Sequence, residues 1–404
     1  MLYVLKNKTA KLKEGIVEDP NVVLVDELLS NAINISASDI HLEPRKNDMR
    51  IRYRVDGVLY DKESVSKEQF PAVLSRLKVL ASLDIAEQRI PQDGKIGIVF
   101  HPDKSDETRE IDLRISTFPS LHGEKMVIRI LDRLQHTHSL NSLGMNGNIL
   151  EKVNDLIQKP QGFFLVTGPT GSGKTTTLYA ILSQLNKVDK NIVTMEDPIE
   201  YNIEGITQSQ INEKAGFTFE RGLRSLLRQD PDVILIGEIR DKQTVQIAIE
   251  AALTGHLVLS TMHTNDAASA VTRLLDMGVE PFLITAALNG VLAQRLARTL
   301  CSHCKQQKSL EKNNKKIENL NFDKTWDACG CDKCFKLGHK GRTGIFEWLS
   351  VDNTMCDLIM EKATLESIRE QAVKNGMKTL LQDASEKVKN GEISLDEFLR
   401  IVNA

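Results

Sequence analysis

The sequence predicts a mixed α/β chain in which a core on a parallel-containing sheet follows a smaller α+β domain. Three observations carry that expectation. Phe163 to Leu182 reads as a short buried strand, a glycine-rich loop and a helix. Asp232 to Arg240 is a near-continuous run of β-branched residues and leucine, the pattern of a central parallel strand. Before residue 134, strands alternate polar with apolar residues, as in an antiparallel sheet with one buried face. We expect an N-terminal domain over residues 1–134, a linker over 135–148 rich in polar residues, and a second domain over 149–404 that includes a cysteine insert at 300–335 and C-terminal helices at 350–404.

Composition narrows the functional classes. A length of 404 residues fits two or three domains, and 41% apolar residues suffice for real cores. The formal net charge of −3 excludes a global basic field that would recruit nucleic acid. No apolar run is long enough to cross a bilayer, and the apolar stretch at the N-terminus is too short for a signal peptide. The expectation is a cytosolic protein able to dock on a membrane protein.

In chain order, residues 20–35 carry apolar positions at helical spacing. Asp39, His41 and Glu43 then share one face of a strand, read as a solvated or interface face rather than a metal site. Met49 to Tyr60 is a hairpin turning at Asp56-Gly57, with Arg50, Arg52 and Arg54 opposite Ile51, Tyr53 and Val55. A helix near 67–83 precedes strands at Lys95 to Phe100, Arg109 to Ser116 and Glu124 to Leu131. Arg129 stands in an otherwise apolar strand, which is costly unless it is paired or reaches a phosphate. Read alone, Arg114 and Arg129 are structural ion-pair residues.

The loop Gly168, Pro169, Thr170, Gly171, Ser172, Gly173, Lys174, Thr175, Thr176 fits the G-x-x-x-x-G-K-[ST] pattern, with a strand before and a helix after. Glycines let backbone N–H groups turn inward around a polyphosphate, and the helix N-terminus adds positive partial charge. Lys174 is expected at the β/γ-phosphates and the Thr175 hydroxyl at Mg²⁺, so the chain binds a nucleoside triphosphate. Asn191 to Tyr201 holds a strand ending in Glu196-Asp197. The helix over 217–228 carries Arg221, Arg224 and Arg228, read as a solvated or subunit-contact face. The strand at Asp232 to Arg240 ends in Gly237-Glu238. Both glutamates are placed at C-terminal strand ends beside the phosphate strand, Glu196 as the candidate base and Glu238 as the metal-side residue. The apolar strand within Leu253 to Asp266 is flanked by His256 and His263, both candidates for the site.

Cys301-x-x-Cys304 and Cys331-x-x-Cys334 together make a four-thiolate Zn²⁺ site, closed and structural, with His303 and Cys329 leaving the ligand set ambiguous. Gly341 to Leu349 reads as a last strand, and Ser394 to Glu397 as a capping box opening a helix.

These motifs together resemble the secretion ATPase superfamily that powers type II secretion and type IV pili. The residues that carry the resemblance are SDIHLEP (38–44), RYRVDG (52–57), IPQDGKI (90–96), GPTGSGKTT (168–176), MEDPIEY (195–201), DPDVILIGEIRD (230–241) and TGHLVLSTMHTND (254–266). The resemblance implies a RecA-like core preceded by a PAS-like domain. It makes Glu196 the catalytic glutamate, Glu238 part of the Walker B segment, His256 and His263 the histidine box, and Arg114 and Arg129 arginine fingers. It also implies ATP, Mg²⁺ and structural Zn²⁺, a homo-hexamer, and an inner-membrane platform protein as partner. The cysteine insert favours the secretion and pilus-assembly branch over the retraction branch. The chain begins almost at the sheet domain, so docking through a further upstream domain is not expected. A DNA translocase and a nucleotide-switched scaffold without hydrolysis are the alternatives. Net acidity argues against the first, and the paired glutamates against the second.

Overall fold

The computed structural model describes residues 2–5, 19–62, 64–102, 108–132, 139–309, 322 and 324–402. They form two compact units, residues 1–137 and 138–404.

The first unit contains β1 (Leu2–Leu5), α1 (Pro20–Asn34), β2 (Asp39–Pro44), β3 (Asp48–Val55), β4 (Val58–Asp61), β5 (Val65–Ser66), α2 (Phe70–Leu80), β6 (Gln92–Phe100), β7 (Arg109–Ser120) and β8 (Gly123–Asp132). The sheet runs β1-β6-β7-β8-β2-β3-β4, with β5 on β3. It is antiparallel except for the β1–β6 pair. Strict alternation sorts its faces: Ile40, Leu42, Ile51, Tyr53, Leu113, Ile115, Met126 and Ile128 are buried, and the charged residues between them point the other way. Both helices cover the apolar face. The Tyr53 hydroxyl donates to the Leu28 carbonyl of α1 at 3.0 Å. Lys78 of α2 forms a buried 2.6 Å ion pair with Glu124 of β8. The β3–β4 turn uses Asp56 and Gly57 at φ 50° and 86°, the left-handed pair that a two-residue hairpin needs.

The second unit contains α3 (Gly147–Ile157), β9 (Gly162–Thr167), α4 (Lys174–Leu185), β10 (Ile192–Glu196), β11 (Thr207–Gln210), α5 (Phe219–Leu226), β12 (Val233–Ile236), α6 (Lys242–Leu253), β13 (Leu257–Met262), α7 (Ala267–Asp276), α8 (Pro281–Ala287), β14 (Leu288–Leu300), β15 (Lys305–Ser309), β16 (Lys324–Ala328), β17 (His339–Ser350), α9 (Asn353–Met360), α10 (Leu365–Lys374), α11 (Leu380–Lys389) and α12 (Leu395–Val402). The main sheet runs β11-β10-β12-β13-β9-β14-β17, parallel except for β17. Successive residues of one strand feed opposite cores. Phe163, Leu165, Ile234 and Ile236 join a core with α5 to α10, and Phe164, Val166, Val233 and Leu235 join one with α3 and α4. This is why these strands are apolar at every position. Each fully buried large side chain contributes on the order of 1.5–3 kcal/mol.

Of the expected linker, 135–138 lies outside the described residues. Leu140 is buried in the α3–α4 core, and Gly344 N–H donates to the Leu143 carbonyl at 2.9 Å. The expected capping box at Ser394 forms only in half. Ser394 Oγ accepts from Glu397 N–H at 3.3 Å, but the Glu397 carboxylate turns away to Arg298 and Arg400. Two guanidinium groups outcompete one backbone amide.

Candidate phosphate-binding site and cysteine centre

The glycines of the loop between β9 and α4 are there for space and conformation. Gly173 has φ 90°, and a Cβ on it would stand 2.7 Å from Gln294 Nε2. Gly171 has φ 77° and faces open space. Gln294 braces the loop from β14 by accepting from Thr177 Oγ1 at 2.7 Å. Thr167 and Thr264 join the ends of β9 and β13 through their hydroxyls at 2.7 Å.

Lys174 folds back over the loop, donating to the carbonyls of Gly168 at 2.8 Å and Pro169 at 3.0 Å. Burial lowers its pKa, and the nearby Glu238 carboxylate opposes that. The Ser172 hydroxyl is buried without a hydrogen-bond partner. An open glycine turn, an orphaned buried hydroxyl and an ammonium at its mouth are what a polyphosphate would occupy. Pro169, Thr170 and Gly171 form the rim, and Thr175 and Thr176 are half-buried in the first turn of α4.

Glu238 and His263 join Lys174. Glu238 Oε2 lies 3.5 Å from His263 Nε2, and its other oxygen accepts from Arg240. Burial lowers the His263 pKa, with Lys174 adding to the effect and Glu238 opposing it.

The other expected site residues stand differently. Chain order suggested that β10 and β12 flank the phosphate strand, but β13 lies between β9 and β12, and β10 is a further strand out. Glu196 does reach the C-terminal edge, since the pairing of Met195 with Ile236 sets it level with Gly237. Its carboxylate is buried beneath α4. It accepts from the Tyr179 hydroxyl, from Thr194 Oγ1 at 2.5 Å and from Gln208 Nε2 at 3.2 Å. His256 is not brought to the loop. It precedes β13 beside Gly162, the start of the phosphate strand, and bonds the Ala251 carbonyl at 2.9 Å. A six-residue strand, about 20 Å, separates it from His263. Arg221, Arg224 and Arg228 remain exposed, bonding to Gly216, Glu220, Ser225 and Arg224 near or within α5.

In the first unit, Arg114 and Arg129 are cross-strand neighbours on the face away from the helices. Arg129 Nε donates to Asp39 Oδ1 at 3.1 Å.

The ligand atoms of Cys301, Cys304, Cys331 and Cys334 lie within 4.8 Å of one another. Burial pushes the Cys334 thiol up, but N–H donors from Cys331 and Gly338 outweigh it and bring its pKa to about 7. Burial raises the Cys304 thiol to about 12, with the neighbouring thiols adding to the effect. Four convergent sulfurs with amide donors suit Zn²⁺. His303 and Cys329 are exposed and stand outside the cluster. Among the described residues no other such cluster occurs.

Sequence reasoning missed Gln294, Tyr179, Thr194 and Gln208. Gln294 had a signal, being a polar residue in the apolar run of β14 that is only 2% exposed.

The family described as type II/IV secretion system protein matches residues 16–400. Type II secretion system ATPase E of Vibrio cholerae is 47% identical over 393 residues, covering 96% of this chain and 77% of that protein. Type IV pilus assembly ATPase PilB of Myxococcus xanthus is 44% identical over 407 residues, covering 98% and 71%. The ATPase DotB of Legionella pneumophila shares the fold, with a TM-score of 0.68 at 21% identity and both chains fully covered. The pilus retraction motor PilT with bound ADP aligns at TM-score 0.59 and 25% identity over 93% and 96% of the two chains. Among the described residues no helix is long and apolar enough to cross a membrane.

Proposed function

The chain belongs to the type II/IV secretion system protein family, and from that premise we propose that it is an ATPase whose turnover drives type II protein secretion or type IV pilus assembly. The observation that carries the reading is the grouping of Lys174, Glu238 and His263 at an open phosphate loop.

In this reading Lys174 exchanges the Gly168 and Pro169 carbonyls for the β- and γ-phosphates of ATP. Thr175 and Glu238 would hold Mg²⁺, which supplies neutralisation of the charge developing on the phosphates. His263 stands against Glu238 and fixes that carboxylate. Glu196 activates the attacking water. Its carboxylate is committed here to Tyr179, Thr194 and Gln208, so the role requires it to give up those donors. Arg114 and Arg129 bind nucleotide phosphate from the first unit. Cys301, Cys304, Cys331 and Cys334 would hold Zn²⁺, which staples the insert between β14 and β17 and takes no part in hydrolysis. The working assembly is a homo-hexamer in the cytoplasm that passes domain motion to an inner-membrane platform protein.

Phosphate release by the purified chain tests the core of this reading. Lys174→Ala and Glu238→Gln are each expected to lower turnover at least a hundredfold with an unchanged urea midpoint. Wild-type turnover in either variant would overturn the assignment.

A further inference from the structure

We propose that Lys95 is a third phosphate-contacting cation, acting with Arg114 and Arg129 on the polar face of the first unit. The inference rests on the assignment of those two arginines to nucleotide phosphate and extends it to Lys95, within the IPQDGKI stretch, to which the resemblance assigns no role.

The register of the sheet places Lys95 opposite Arg114, Arg114 opposite Arg129, Arg129 opposite Asp39, and Asp39 opposite Arg54. Four cations and one carboxylate thus stand in a single cross-strand row. Directly opposed residues have Cβ atoms only about 5 Å apart, and like charges so placed repel. Asp39 relieves one end of the row. Its carboxylate takes Arg129 Nε at 3.1 Å and lies 3.6 Å from Arg54 Nε. Among the described residues, Lys95 and Arg114 have no ion-pair or hydrogen-bond partner through their side chains.

These two unneutralised cations and Arg129 line one concavity of about 470 Å³, together with Asp93 and Ser116. The strand carrying Lys95 is fixed in place there. A Cβ on Gly94 would stand 2.7 Å from the Ala81 carbonyl oxygen, so β6 passes too close to the end of α2 for any other residue. Two cations without an ion-pair partner, beside Arg129 at the wall of a cavity, have the chemistry to take a polyanion. The phosphate chain of a nucleotide supplies adjacent negative oxygens at a spacing that suits adjacent side chains. Arg114 and Arg129 each offer a planar fork, and Lys95 adds a point charge beside them.

The test uses the full chain and four variants, Lys95→Gln, Lys95→Arg, Arg114→Gln and Lys174→Ala, with phosphate release followed against ATP concentration and urea midpoints measured in parallel. Lys95→Gln is expected to lower kcat/KM by about tenfold to a hundredfold, as loss of one charge-assisted contact does. Lys95→Arg is expected to restore it to within about threefold, because the charge is kept. The midpoints of both Lys95 variants stay at the wild-type value, since Lys95 is exposed. Wild-type kcat/KM in Lys95→Gln with a loss in Arg114→Gln overturns the role of Lys95 and leaves the arginines standing. Wild-type values in both, with Lys174→Ala inactive, overturn the phosphate reading of the whole row. Equal losses in Lys95→Gln and Lys95→Arg, or a midpoint that falls with activity, show that position rather than charge matters and also overturn the proposal.

Discussion

Glu196 offers a substitution whose structural and catalytic consequences separate. Its carboxylate accepts from Tyr179 on one oxygen and from Thr194 and Gln208 on the other. In Glu196→Gln the amide oxygen can keep Thr194 and Gln208. The new NH₂ then faces Tyr179, whose phenol oxygen can accept instead of donate. Only the charge assistance is lost, a cost of about 1 kcal/mol. For a unit the size of residues 138–404 that lowers the melting midpoint by roughly 2–4 °C. In Glu196→Ala the Tyr179 phenol and the Thr194 hydroxyl lose their acceptor in a buried site, while the Gln208 amide keeps the Tyr201 carbonyl at 3.2 Å. Each orphaned group costs about 1–3 kcal/mol, so the total is on the order of 3 kcal/mol or more. The water-activating role predicts a different ordering. Turnover falls by about 10²- to 10⁴-fold in both variants, because neither side chain can take the proton. Urea denaturation and phosphate release on the same preparations give both numbers. Equal stability of the two variants would refute the buried network, and near-normal turnover in Glu196→Gln would refute the base.

Two further outcomes are expected. Burial raises the Glu397 carboxyl, but Arg400 and Arg298 outweigh that and hold it at about 2, below its ordinary 4.5. A depressed pKa contributes stability that is fully present above the unfolded value and is lost as pH falls through the folded one. Glu397→Gln should therefore cost about 3 kcal/mol at pH 7, and the gap to wild type should close between roughly pH 4.5 and pH 2, read from urea midpoints across that range. Zinc removal is the second. The pure chain should carry one Zn²⁺ by elemental analysis, and Cys334→Ser should lose it. Proteolysis after Lys308 or Lys324 should then quicken, while the phosphate loop, held by Gln294 and Thr264, keeps its affinity for ADP.

What could be read ahead of the structure was local. The phosphate loop declares itself within nine residues, the β3–β4 turn within two, and each cysteine pair within four, because backbone conformation or ligand geometry demands those residue types there. What could not be read depended on distant chain segments meeting. Tyr179 and Gln208 hold Glu196 only because α4 lies over the end of β10 and β11 pairs alongside it. The interposition of β13 between β9 and β12 follows from strand order, which sequential spacing does not determine. His256 and His263 looked alike as flanks of one apolar run, yet opposite ends of a parallel strand face opposite edges of the sheet. The row from Lys95 to Arg54 required the register of five strands at once.

Strand β14 deserves a mechanical reading. It pairs with the phosphate strand from Leu288 to Ala293, sets Gln294 against the loop, and runs on to Leu300, next to Cys301, with one register shift against β17 between Arg298 and Leu300. A stiff ribbon anchored at one end turns a small pivot into a longer sweep at its tip. The seven residue steps from Gln294 to Cys301 span about 23 Å, so a 5° tilt at the loop displaces the cysteine knuckle by about 2 Å. Beyond that tip Lys305 donates to the Gly391 carbonyl at 2.6 Å, so a tilt of β14 would be felt at the turn after α11.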